Sequence, residues 1–148
     1  MNKYEKVEEL LKNYKMMKIS IENMEQEIEY IKQSEDGITG IDYNGINTSK
    51  THKFSSMVED AVLSRSEKIH YLERNIEYNK RQIEKMDKAM EGLSEIEAMI
   101  ITERYMEGKQ WWKVAYQAGY SERHCKRIRT NAIKKLIVGI YGRIGVDQ

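Results

Sequence analysis

The sequence predicts an all-α protein: a long antiparallel helical hairpin, in effect a coiled coil, followed by a C-terminal helix-turn-helix. Three observations support this. The 148 residues contain no proline and one phenylalanine. Without proline, helices run unbroken, and a chain poor in Phe and Val lacks the residues that fill β-sandwiches and barrels. Charged residues make up 33% of the chain, above the ~25% of an ordinary globule, which suits long exposed helices better than a compact enzyme. Finally, apolar residues recur in steps of three and four along two stretches, the period of helices that pair along a seam.

The first stretch spans residues 3–34. Val7, Leu10, Tyr14, Met17, Ile21, Met24, Ile28 and Ile31 form a stripe over four heptads, with Glu and Lys between them on the outer face. A helix of this length would extend ~48 Å, and Gly37 and Gly40 are expected to end it. Residues 35–55 are rich in Gly, Asn, Ser and Thr and lose the period. So long a connection is either a plain hairpin connector, folded back through Ile38, Ile41, Tyr43, Ile46 and Phe54, or a contact for a partner.

The second stretch spans residues 56–92. Ser56 and Glu59 have the spacing of a capping box. One heptad series runs Val62, Ile69, Ile76, Ile83, Met90, and the other runs Val58, Arg65, Leu72, Asn79, Met86. Arg65 and Asn79 interrupt the second series; polar residues in a seam weaken it but fix register. Two striped helices joined by a loop predict a hairpin domain over residues 1–91. Each stripe could instead, or also, bury against a second copy, giving a homodimer through residues 1–91.

The charge changes sign after this point. Residues 1–91 hold 15 basic and 18 acidic side chains, a net −3, whereas residues 92–148 hold 10 and 6, a net +4. This marks a boundary between the hairpin and a C-terminal domain of residues 92–148. Ser94 and Glu97 form another capping box, followed by a helix with Ile96, Met99, Ile100 and Tyr105 on one face and Gly108 at its end. Next come the requirements of a helix-turn-helix. Ala115 is the small residue at a helix crossing, and Gly119, four positions later, tolerates a left-handed turn. Val114, Ala118, Tyr120, Cys125 and Ile128 are spaced to bury the second helix on the first. The remaining face carries Ser121, Glu122, Arg123, Lys126, Arg127 and Thr130, which would enter the major groove of DNA. From Arg123 to Lys135 there are six basic residues and no acidic one. That density suits a phosphate backbone and adds Arg129, Lys134 and Lys135 to the expected DNA-binding set. Gln110 joins it at a helix N-terminus, where anions are favoured.

The run Leu93-Ser94-Glu95-Ile96-Glu97, then Arg104-Tyr105-Met106-Glu107-Gly108, Trp112-Lys113-Val114-Ala115, Gly119-Tyr120-Ser121 and Ala132-Ile133-Lys134-Lys135-Leu136 resembles region 4 of sigma-70-type RNA polymerase sigma factors. The resemblance covers about 45 residues and rests on their combined spacing. Two positions depart from that family's pattern: Lys113 replaces the glutamate of its E-I-A crossing, and Glu122-Arg123 is shifted by one place. No counterpart of sigma region 2 is visible. The layout is similar to phage-encoded sigma-like regulators, the late-gene activators of the ArpU and RinA type. The resemblance implies a sequence-specific transcriptional regulator, phage or prophage encoded, in the cytoplasm of a bacterial host. Its partners would be double-stranded DNA and host RNA polymerase. Polymerase would meet Glu103, Met106, Glu107, Trp112 and Tyr116, which fall off the expected core stripe. Two other readings stand beside it: a small terminase-like DNA-packaging subunit, and a sigma mimic that binds and inhibits a protein without reading DNA.

No catalytic site, cofactor motif or metal set is expected. His52, His70 and His124 have no second ligand at metal spacing, no glycine-rich phosphate loop occurs, and Cys125, the one cysteine, falls on the expected buried face. A single cysteine forms no internal disulfide, which fits a reducing compartment. The N-terminus has no apolar signal-like segment, and no 18-residue apolar run occurs, so no membrane association is expected. Trp111 is in step with Val114, Ala115 and Ala118 and should be core. Trp112 faces outward, either as an exposed contact or as a prop against the hairpin or the tail at 137–144.

Overall fold

The computed structural model describes residues 1–37 and 64–143, with residues 35–37 described by backbone alone. All of its elements are helices: α1 (Lys3–Gly37), α2 (Arg65–Met90), α3 (Glu95–Ile101), α4 (Trp111–Ala118) and α5 (Glu122–Tyr141). Residues 35–37 of the connector expected at 35–55 are helical instead, while its residues 38–55, the Ser56–Glu59 box and the heptad positions Val58 and Val62 lie outside the described residues, as does His52. Within α1 the helix continues through Gly37.

Each helix start has a local cause. Asn2 and Glu5 bond reciprocally, the Asn2 N–H donating to the Glu5 carboxylate and the Glu5 N–H to the Asn2 side-chain oxygen, which satisfies donors that the first turn leaves free. Ser64 and Glu67 do the same for α2, a capping box eight residues downstream of Ser56 in sequence. Ser94 and Glu97 form the box expected for α3. Ser121 caps α5 by accepting the His124 N–H at 3.1 Å. Between α4 and α5, Gly119 adopts φ +76°, the left-handed conformation that side chains resist. The turn Gly119-Tyr120-Ser121 thus makes a helix-turn-helix.

The chain forms two compact units: residues 1–18 with 80–148, and residues 19–79. The division expected at 91/92 does not follow them, and the reason lies in the core of the first unit. Val7 and Leu11 of α1, Met86 of α2, Ile101 and Tyr105 after it, and Ala132, Ile133, Leu136 and Ile137 of α5 form one buried cluster. Helix α5 therefore buries its apolar face on the base of the hairpin as well as on α4. The expected stripe shifts by one residue here: Leu11 is buried, and Leu10 packs at its margin. Tyr14 adds a hydrogen bond across the hairpin, its hydroxyl donating to Asp87 at 2.6 Å. Gly139 lets α5 approach α2 closely, since a Cβ there would lie 2.9 Å from that of Ala89.

A second cluster, Ile100, Val114 and Cys125 with Ile96, Met99, Trp111, Ala115, Ala118 and Ile128 around it, holds the helix-turn-helix together. Tyr120 is not part of it. Its ring is 47% exposed and meets His124 edge-on at 4.7 Å. Its backbone N–H bonds to the Ala115 carbonyl, which leaves the side chain outside the crossing.

Between the clusters α3 does not simply run on to Gly108. After Ile101 it passes into a π-helical turn, Thr102–Met106, closed by the Glu107 N–H on the Thr102 carbonyl. Such a turn inserts an extra residue. It lets one short segment serve two cores: Ile96, Met99 and Ile100 face α4 and α5, whereas Ile101 and Tyr105 face α1.

In the second unit Ile21, Ile31 and Ile76 are buried, and Met24, Ile28, Ile69 and Leu72 are half-buried, as the heptads require. Asn79 occupies its seam position and donates to the Ser20 hydroxyl at 3.4 Å. With Tyr14 meeting Asp87 and Ser20 meeting Asn79, α1 and α2 pair in opposite directions, as a hairpin.

Candidate nucleic-acid interface

Helix α5 has two faces. Its buried face is described above. On the other, Arg123, Arg127, Asn131 and Lys134 are all exposed and recur at helical spacing, so they line one side of the helix. Lys126 is exposed at the edge of this stripe, with its ammonium 5.9 Å from the Trp111 ring. Among the described residues Arg123, Lys126, Arg127 and Lys134 have no carboxylate within 4.0 Å. Their charge is available to an external anion. Asn131 lies outside the expected set. Its place between Arg127 and Lys134 puts it on the same exposed face.

Three other expected contacts are used within the protein. Arg129 turns toward the core side of α5, where a guanidinium N–H donates to the Tyr105 hydroxyl at 3.3 Å and the group lies 5.1 Å from the Trp111 ring. Lys135 is ion-paired with Glu97 at 2.9 Å. The Thr130 hydroxyl donates to the Lys126 carbonyl one turn back. At the start of α5, Ser121 is the cap, and Glu122 is exposed in the first turn, where a carboxylate complements the helix dipole.

The Lys135 pairing has a pH consequence. Glu97 is held below the usual carboxylate range, first by the Ser94 N–H, with the Lys135 ammonium adding to the effect against partial desolvation. A carboxyl whose folded pKa is depressed stabilises the fold above its unfolded pKa of ~4.3 and loses that contribution as pH falls through its folded value. Glu97→Gln is therefore expected to lower the melting temperature at pH 7, with the gap to the parent protein closing in acid. Ser94→Ala should cost ~1 kcal/mol through the lost cap. Thermal melts from pH 3 to 7 check both.

The face assigned to polymerase separates in the same way. Glu103 is part-buried, ion-paired with Lys109 at 3.0 Å and approached by the Gln117 amide at 3.4 Å. Met106 packs on the core cluster at α1. Glu107 pairs with Lys15 at 2.9 Å. Trp112 and Tyr116, 56% and 87% exposed, remain as outward aromatic surface. The Trp112 indole N–H donates to the Gln110 side-chain oxygen at 2.7 Å, so Gln110 is engaged too, and the Lys113 ammonium lies 5.4 Å from the Trp112 ring. Trp112 is not a prop against the hairpin, since most of its surface is open.

Trp111 is half-buried rather than fully core. Cys125 is buried, and its thiol is pushed up by that burial and by nearby Glu122, which makes it a packing residue. Among the described residues no helix is long and apolar enough to cross a membrane.

No curated protein and no solved structure matches the chain. One family profile does, and it runs from the first turn of α1 nearly to the end of α5. The chain belongs to DUF722, a family of proteins of unknown function, over residues 3–138.

Proposed function

We propose that this protein is a sequence-specific DNA-binding regulator of the sigma-like, phage-encoded kind, in which α5 reads the major groove. The observation that favours this most is the stripe Arg123, Arg127, Asn131, Lys134 on the exposed side of a capped helix, with its three cations unpaired among the described residues. Basic and amide groups at that spacing match base edges and phosphates together. The helix-turn-helix frame, with Gly119 left-handed and Ala115 at the crossing, presents the stripe in the way the resemblance implies.

The first test is the salt dependence of duplex binding by the full chain. Two to four phosphate contacts give a slope of about −2 to −4 in log K against log salt. A flat dependence would remove DNA from the account.

Trp112 and Tyr116 favour host RNA polymerase as the protein partner, since exposed aromatic side chains are the composition of interface centres. Trp112→Ala is expected to leave stability within about 0.5 kcal/mol and intrinsic duplex affinity unchanged, while transcription activation in a reconstituted assay is lost. A variant that activates normally would take polymerase off this face.

A further inference from the structure

A cleft of about 300 Å³ opens where the π-helical turn meets α1 and α5, lined by Glu8, Lys12, Arg104, Tyr105, Gly108 and Arg129. It lies off the groove-facing stripe of α5. Three of its six lining residues are cations. The one carboxylate, Glu8, accepts from the Tyr105 hydroxyl at 2.7 Å, and the same hydroxyl accepts from Arg129, so Glu8 acts on that guanidinium through the tyrosine and at a distance.

Both arginines are held in place without a direct ion pair among the described residues. Arg104 donates to the Lys109 carbonyl at 2.9 Å and lies 4.9 Å from the Trp111 ring. Arg129 donates to the Tyr105 hydroxyl and lies 5.1 Å from the same ring. Neither has a carboxylate within 4.0 Å among the described residues. The Arg129 Nε is buried with no hydrogen-bond partner, and a buried donor left unsatisfied is costly. Two like charges drawn to one aromatic ring repel unless an anion joins them. At Gly108, φ is +70° and nothing lies within 4 Å of where a Cβ would be, so the backbone there leaves the cleft open.

We propose that this cleft is a phosphate-binding site. Two planar guanidiniums and an ammonium match an oxyanion with three or more acceptor oxygens better than a carboxylate with two. The volume is at the small end for ligand pockets: it admits a phosphate or pyrophosphate group but not a duplex, of which only a protruding backbone phosphate could enter. A free phosphoanion and the DNA backbone present the same phosphate chemistry to the site. The site does not depend on base reading by α5.

The test is a titration of the ¹⁵N-labelled full chain with inorganic phosphate and pyrophosphate at constant ionic strength, following the Arg104 and Arg129 Nε–H resonances. These are expected to shift saturably, pyrophosphate binding more tightly. Lys12→Gln, at an exposed position whose loss leaves the core intact, should weaken binding about tenfold. Lys12→Gln with Arg104→Gln should abolish saturation while the circular dichroism spectrum is kept. Arg127→Ala should titrate like the parent chain, which separates this site from the groove-facing stripe. Duplex DNA that competes with phosphate for the same resonances identifies the backbone as the source; duplex that binds without competing identifies a free phosphoanion. Resonances that do not saturate, or a double variant that titrates like the parent, would overturn the proposal.

Discussion

Leu11→Ala should destabilise the protein by about 2–5 kcal/mol and take the helix-turn-helix half with it, although it lies on the first helix. Leu11 is 1% exposed and shares its cluster with Ile133, Leu136 and Ile137 of α5. A cavity at that point therefore loosens α5 directly. Against a total stability of ~5–15 kcal/mol the loss is large. The same packing predicts that a fragment of residues 92–148 does not fold cooperatively, because it lacks Val7, Leu11 and Met86 and leaves one face of α5 bare. Urea titration of Leu11→Ala and a thermal melt of the fragment, both by circular dichroism, check this. A fragment with a sharp transition near that of the full chain would show that the C-terminal half stands alone.

The second large effect concerns what the protein reads. Arg127 lies at the middle of the exposed stripe, unpaired among the described residues; on the proposed reading its guanidinium would meet guanine through two hydrogen bonds. Such a contact discriminates against a wrong base by ~1–3 kcal/mol. Arg127→Ala should lower affinity for the preferred site by that amount, a loss of roughly 5- to 150-fold, and barely change affinity for random duplex. Lys134 lies two turns further along the helix and, as an ammonium, acts as a point charge. Lys134→Ala should weaken all duplexes alike and reduce the salt slope by about one. Equal losses on specific and random DNA for Arg127→Ala would assign it to the backbone.

The helices were legible because their signals are local. Heptad spacing, the Ser94–Glu97 pair and Gly119 each act through neighbours along the chain, and they operate as expected apart from the shift of the α1 stripe from Leu10 to Leu11. The same logic would have found Ser64–Glu67, an S-x-x-E box of equal quality to Ser56–Glu59. What the sequence does not display is which residues a distant helix claims. Arg129 and Lys135 look equivalent to Arg127 and Lys134 in the basic run. The first is taken by Tyr105 and Trp111, the second by Glu97, and both partners come from the α3 region and α4. Glu107 is likewise taken by Lys15 on α1. The π-helical turn escapes for a related reason: it answers the demands of two separate cores, and no residue within Thr102–Met106 signals it. The domain boundary shifts because charge changes sign at 91/92 while burial does not.

The central claim is that α5 reads DNA sequence through its exposed stripe. Selection of duplexes from a random-sequence library by the full chain tests it most directly, run in parallel with Arg127→Ala. The account predicts that the parent chain enriches a single motif and that Arg127→Ala loses preference at one or two adjacent base pairs of it while retaining the rest. A parent chain that enriches no motif at physiological salt, or a variant that enriches the identical one, would contradict it.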